Sequence, residues 1–193
     1  MNSAIGELVA RLRAAGVVEG LEQQVPLAAY TTFGIGGVAD LAFEARSSDA
    51  LAAACRAASA FDIPCLVLGR GSNVLVSDRG VRGLVIINRS EGCVLGPDGR
   101  LTAVSGTSLT DVARRSAEAG WAGLEWAVGI PGTIGGAVVG NAGAHGGEEG
   151  GVDEMVGLVG GREGEHHHDG PGEHREQRLG GHHLVDGLGA VGV

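Results

Sequence analysis

Lysine is absent from this 193-residue chain: all 14 basic residues are Arg, set against 23 Asp and Glu for a formal net charge of −9. The arginines are scattered and are not interleaved with aromatics, which argues against a nucleic-acid partner. Aromatic residues make up 3% of the chain, and none follows Trp126. No apolar run approaches the roughly 20 residues that a bilayer span needs, and no basic-apolar-cleavage pattern opens the chain. Neither a membrane partner nor a secretory signal is therefore expected, and a cytoplasmic protein is. Cysteine is scarce too: Cys55, Cys65 and Cys93 are an odd number with no close pair, which reads as buried reduced thiols.

What the chain does have is 44% apolar residues, enough for a packed body of one core or two small lobes. Ile5, Leu8, Val9 and Leu12 recur at helical spacing, and Gly16 can close that helix. Ala39, Leu41, Phe43 and Ala45 alternate with Asp40 and Glu44 as in a half-buried strand. Ser47 and Ser48 can cap a helix with Leu51, Ala54, Cys55 and Ala58 on its inner face, and Pro64 then precedes the buried run Cys65-Leu66-Val67-Leu68. This strand–helix–strand order predicts a crossover between parallel strands, with the loop after Leu68 at the strand end where α/β sheets hold ligands. Further strands are expected at 74–76 and 84–87, with Asp78-Arg79-Gly80 turning between them. A helix marked by Leu109, Val112, Ala113 and Ala117 follows, ended by Gly120. A boundary between two lobes falls at 88–91.

Two glycine-rich stretches carry the chemistry. Gly69-Arg70-Gly71-Ser72-Asn73 directly follows the buried strand. Its glycines permit positive φ and let successive main-chain N–H groups approach a phosphate, while Ser72 and Asn73 add side-chain donors. A plain tight turn uses the same residues, so both readings stand at this level. No Gly-Lys-Ser/Thr is present, and a strand rather than a helix follows, so the loop is neither a Walker loop nor a Rossmann fingerprint. The second stretch spans 129–147, with Ile130, Ile134, Val138 and Val139 supplying apolar contacts at intervals. It suits close packing against a large flat ligand better than it suits a linker. Glu125 and Trp126 stand just ahead of it, Trp126 as a packing residue.

Together with Tyr30-Thr31-Thr32-Phe33-Gly34-Ile35-Gly36-Gly37-Val38-Ala39-Asp40, these stretches resemble, in the right order, the three hallmark segments of the UDP-N-acetylenolpyruvoylglucosamine reductase (MurB) family. The likeness covers roughly residues 5–149. It implies an α+β fold: a two-lobed FAD-binding domain of the vanillyl-alcohol-oxidase (PCMH) type, its second lobe incomplete, with lobes at 1–88 and 89–150. Gly69, Gly71, Ser72 and Asn73 would cradle the pyrophosphate, with Tyr30 and Thr32 beside them. Pro131, Gly132, Thr133, Gly135, Gly136, Asn141, Gly143 and Ala144 would line the flavin. The implied reaction passes a hydride from NADPH through FAD to the enolpyruvyl group of a nucleotide-sugar substrate, giving UDP-N-acetylmuramate for peptidoglycan. Other readings are a different flavin oxidase of the same superfamily, although the pyrophosphate loop has no His or Cys for a covalent flavin link, or a non-catalytic remnant.

The tail departs from the family. From Gly146 onward lie 15 of the 37 glycines and six of the seven histidines, so 151–193 reads as an eroded or poorly ordered continuation, with no substrate domain after it. The nearest counterpart of the family's Tyr-Arg-x-Ser segment is His174-Arg175-Glu176-Gln177, followed by a strand around His183-Leu184-Val185. Arg175 is thus the candidate catalytic residue, a stabiliser of the enolate, or else a solvated charge like Arg178. The family's Ser donor and late Glu find no counterpart. His166-His167-His168 with Asp169, and His182-His183, lack the spacing of a preorganised site, so no metal is expected.

Overall fold

The computed structural model describes residues 2–14, 16–17, 20–97, 100–143 and 183–185. Helix α1 (Asn2–Ala14) and strand β1 (Leu21–Pro26) lead into a 3-10 turn (Leu27–Tyr30), and β2 (Val38–Ala45), α2 (Ser48–Ala60), β3 (Cys65–Leu68), β4 (Val74–Val76) and β5 (Val81–Asn88) follow. Then come β6 (Cys93–Leu95), β7 (Leu101–Ala103), α3 (Leu109–Glu118), a second 3-10 turn (Glu125–Gly129), α4 (Ile134–Val139) and β8 (His183–Val185). Helices and strands mix as the α+β reading expects. Among the described residues no helix is long and apolar enough to cross a membrane.

The main sheet has the order β1-β2-β5-β3, with β5 parallel to both β2 and β3 and β1 antiparallel to β2. The crossover through α2 therefore leaves a gap one strand wide, and β5 fills it. Its composition explains the choice, because the run Leu84–Ile87 is apolar on both faces and suits a strand covered on both sides. Leu84 and Ile86 pack with Leu12 of α1 and with Ala54 and Ala58 of α2. Val85 and Ile87 pack with Leu27, Leu68 and Val76 in a separate cluster.

Strand β2 obeys the expected alternation only from Leu41 onward. Leu41, Phe43 and Ala45 join the cluster beneath the helices, but Ala39 belongs to the opposite one. Ala39 faces Val81 while Leu41 faces Leu84, so β5 carries an extra residue between those pairs. Gly83 at φ +105° absorbs it, where a β-carbon would overlap the Pro64 carbonyl. Asp40 holds the bulge: its Oδ2 accepts the Gly83 N–H at 3.2 Å and its Oδ1 pairs with Arg82 Nη1 at 2.6 Å. Alternation in one strand cannot reveal an inserted residue in its neighbour.

The helix ends follow the sequence cues. Ser47 Oγ accepts the Ala50 N–H at 3.1 Å, so Ser47 caps α2 and Ser48 is its first residue. Gly16 and Gly120 take positive φ, and the next residue's N–H bonds back five residues, Val17 to Leu12 at 3.0 Å and Trp121 to Ser116 at 2.9 Å. Asp62 closes α2 in the same way, at φ 52° and with Ile63 N–H on the Ala58 carbonyl at 2.9 Å.

A third cluster gathers Leu101 and Ala103 of β7, Leu109, Val112 and Ala113 of α3, and Ile134 and Ala137 of α4, with Trp121 and Trp126 against it. The chain passes into it at 88–91 through buried polar groups. Asn88, 4% exposed, donates from Nδ2 to Ser105 Oγ at 2.9 Å and accepts at Oδ1 from the Ser90 N–H at 3.1 Å and the Ser90 hydroxyl at 2.6 Å.

The cysteines need a correction. Cys55, Cys65 and Cys93 are free and half-buried rather than fully buried. The Cys55 and Cys65 thiols come together where α2 packs on β3. Burial, and next the neighbouring Cys55 thiol, push the Cys65 thiol up to about 12.

Candidate functional site

The loop after β3 docks first on the segment 30–32. Gly71 is buried with φ +64°, its carbonyl accepts the Thr32 N–H at 3.0 Å, and a β-carbon there would overlap the Tyr30 carbonyl oxygen. Thr31, 9% exposed, donates its hydroxyl to the Ile35 carbonyl at 3.0 Å and so shapes the turn through Gly34. Further on, the Gly37 N–H reaches the Ser77 carbonyl at 2.9 Å. The first hallmark segment thus wraps the strand that leaves the loop.

The loop's other side meets the second glycine-rich stretch. Ser72 Oγ donates to the Pro131 carbonyl at 2.8 Å, across 59 residues of sequence. A β-carbon on Gly69 would stand 2.6 Å from Thr133 Oγ1, and one on Gly132 3.2 Å from Ser72 Oγ. Arg70 Nη1 donates to Ser108 Oγ at 3.5 Å, and Ser108 forms an antiparallel bridge with Thr133. All three segments singled out in the sequence therefore converge at one place.

Their hydrogen-bond donors are not equally available. The Ile134 N–H goes to the Thr107 carbonyl at 2.9 Å, the Gly135 N–H to the Ser105 carbonyl at 2.8 Å, and the Gly136 N–H to the capping hydroxyl of Thr133 at 3.2 Å. The start of α4 is thus satisfied from within. Gly135 is small because a β-carbon would lie 3.0 Å from that of Ser105. In the loop, by contrast, the carbonyl of Gly71, the hydroxyl of Ser72 and the guanidinium of Arg70 make the contacts. The N–H groups of Arg70, Gly71 and Ser72 have no acceptor among the described residues.

Of the remaining candidates, Tyr30 is half-buried, while Thr32, Asn73, Pro131, Asn141 and Gly143 are exposed. Asn141 has a local role, since at φ 46° it ends α4 while the Ala142 N–H reaches the Ala137 carbonyl at 2.9 Å. Ile134 is buried and Ile130 and Val138 pack on the third cluster, but Val139 is 68% exposed and supplies no such contact. The short helix turns it away from the side that Ile134 and Ala137 bury. Trp126 is half-buried, with its Nε1 donating to the Gly123 carbonyl at 3.1 Å. Strand β8 pairs in parallel with β4, His183 opposite Val74, so the strand expected there lies beside the one leaving the loop.

Ala144, Arg175 and the run His166-His167-His168 fall outside the described residues. Among the described residues no group of three or more His, Cys, Asp or Glu could hold a metal. The sequence reading overlooked Ser105, Thr107 and Ser108. Ser108 had a signal, because it stands where an N-cap should ahead of Leu109, and it caps α3 through the Asp111 N–H at 3.3 Å. Nothing in the sequence linked it to Arg70.

A FAD binding domain model matches residues 39–158, and the chain belongs to that family. More particularly, it is 47% identical over 136 residues to the UDP-N-acetylenolpyruvoylglucosamine reductase of Synechococcus elongatus, covering 69% of this chain and 45% of that protein. To the protein of the same name from Nostoc punctiforme it is 49% identical over 127 residues, 65% of this chain and 38% of that one. The resemblance carried by the three segments is borne out by these relatives, of whose length the chain spans less than half. The crystal structure of UDP-N-acetylenolpyruvylglucosamine reductase (MurB) from Thermus caldophilus matches with a TM-score of 0.49 at 36% identity, over 65% of this chain and 43% of that one.

Proposed function

We propose that this chain is the FAD-holding part of a UDP-N-acetylenolpyruvoylglucosamine reductase of peptidoglycan precursor synthesis, working in the cytoplasm with NADPH as reductant. One observation carries the reading: the Ser72 hydroxyl on the Pro131 carbonyl, at 2.8 Å, joins the phosphate-type loop to the second glycine-rich stretch. The site fits the cofactor by its donor set. Three adjacent main-chain N–H groups, at Arg70, Gly71 and Ser72, have no acceptor among the described residues, in a loop where glycine stands at 69 and 71. At about 1.5–3 kcal/mol for each bond to a charged group, three such donors sum to about 4.5–9 kcal/mol, which spans millimolar to micromolar binding without a single Lys.

In this reading the lobes 1–88 and 89–150 hold the cofactor between them, and the loop takes the diphosphate. Bound FAD would accept hydride from NADPH and deliver it to the enolpyruvyl double bond. The chain's own contribution is to orient. Gly69, Gly71, Ser72 and Asn73 face the diphosphate, with Tyr30 and Thr32 behind the loop. Pro131, Gly132, Thr133, Asn141, Gly143 and Ala144 line the ring. Gly135 and Gly136 keep α4 close without giving up their N–H groups. Hydride addition builds negative charge beside the substrate carboxylate, and Arg175 is the residue we assign to stabilise it.

Recording the flavin absorbance of the purified chain tests the reading. We expect FAD to be retained in equimolar amount and to bleach when NADPH is added without oxygen to a chain extended to the relatives' length. A folded chain that retains no flavin on reconstitution would overturn the proposal.

A further inference from the structure

We propose that Arg70 provides the positive charge that holds the cofactor's diphosphate, acting with the main-chain donors of its own loop. This rests on the reading of the chain as an FAD-binding domain. A diphosphate brings two negative charges into a protein whose own net charge is −9 and which has no Lys. Within 30–40, 69–73 and 129–143, the segments that converge on the site, Arg70 is the only Lys or Arg. It belongs to the loop in which the N–H groups of Arg70, Gly71 and Ser72 have no acceptor among the described residues.

Arg70 is exposed, and its guanidinium leans toward the 131–133 segment. Nη1 reaches Ser108 Oγ at 3.5 Å, and Ser108 pairs with Thr133, which lies against Gly69. The charge is thus held at the junction between the loop and the 131–133 segment. The hydrogen bond is long and the hydroxyl already accepts the Asp111 N–H, so Arg70 gives up little by turning to a stronger acceptor. Nor is the charge neutralised. The ion pairs among the described residues engage Arg11, Arg46, Arg82 and Arg114, and no carboxylate pairs with Arg70. An unpaired guanidinium is the group best suited to a phosphate pair, because its planar fork makes two parallel bonds to phosphate oxygens.

FAD titration of the apoprotein, followed by flavin fluorescence at low and high salt, tests this with the parent, Arg70→Gln and Arg70→Lys. Arg70→Gln should weaken FAD binding about tenfold or more at low salt. Its affinity should also depend less on salt than the parent's, because one screened charge pair is gone. Arg70→Lys should restore most of the salt dependence and part of the affinity, keeping the charge without the fork. The melting temperature of the apoprotein should stay the same in all three. If the parent binds FAD and Arg70→Gln binds it as tightly with the same salt dependence, the role assigned to Arg70 is wrong. A fall in apoprotein melting temperature that accounts for the whole loss of affinity would likewise overturn it, marking Arg70 as a structural bridge to Ser108. Failure of the parent to bind FAD is a different result, and it removes the reading of the site itself.

Discussion

Position 71 has no space for a β-carbon and holds a backbone angle, φ +64°, that L residues rarely adopt. Gly71→Ala should therefore break the Thr32–Gly71 hydrogen bond and displace the loop, abolishing flavin retention, and Gly71→Asp should do so with added charge repulsion. Gly120 supplies the contrast: φ is +78° but nothing lies within 4 Å of its absent β-carbon. Gly120→Ala should cost only about 1–2 kcal/mol in urea denaturation and leave flavin retention intact. Cys65 makes a prediction in pH. Its folded thiol is raised to about 12, above the unfolded value, so its contribution to stability is complete below about 8.5 and is lost as pH rises toward 12. Urea midpoints should fall across that window in the parent and less steeply in Cys65→Ala. At this scale much could be read from sequence. Gly71 stood out through its place after an apolar strand, although that strand lies at the sheet edge with Val67 exposed and only Leu68 buried rather than buried throughout. Gly135 suggested ligand approach when the real cause is the nearness of Ser105, which only the fold supplies.

Among elements, the long apolar patterns were legible, as was the short run of β4 ahead of the Asp78-Arg79-Gly80 turn, whereas β1, with Glu22, Gln23 and Gln24 in a row, was not. Helices α1, α2 and α3 announced themselves through apolar spacing, and β5 through its unbroken run. Helix α4 was hidden, because it has six residues, two of them Gly in its first turn, and sits inside a glycine-rich stretch. Strands β6 and β7, of three residues each, are too short for a period to show. What forms α4 is its cap, Thr133, and not propensity. Thr133→Val keeps the volume against Gly69 but removes the acceptor for the Gly136 N–H, so stability should fall by about 1 kcal/mol. Urea denaturation of the apoprotein would show the loss, and flavin affinity should drop with it because α4 carries the 131–133 segment.

For the whole molecule, the main sheet and the separately packed third cluster must keep the loop and the 131–133 segment in register. Asn88 is the buried tie, bonded to Ser90 and Ser105 where the main sheet hands over to the third cluster. Asn88→Ala leaves buried partners unsatisfied, at about 1–3 kcal/mol each, and should split the single urea transition into two. An unchanged single transition would show that the contacts around Ser72 and Arg70 couple the halves without it. The central claim is that both glycine-rich stretches close on one cofactor, and hydrogen exchange with and without FAD measures it most directly. Main-chain amides at 70–72 and at 130, 132 and 133 should gain protection together, at the same FAD concentration. Binding of FAD that protects one stretch and leaves the other unchanged would contradict the account.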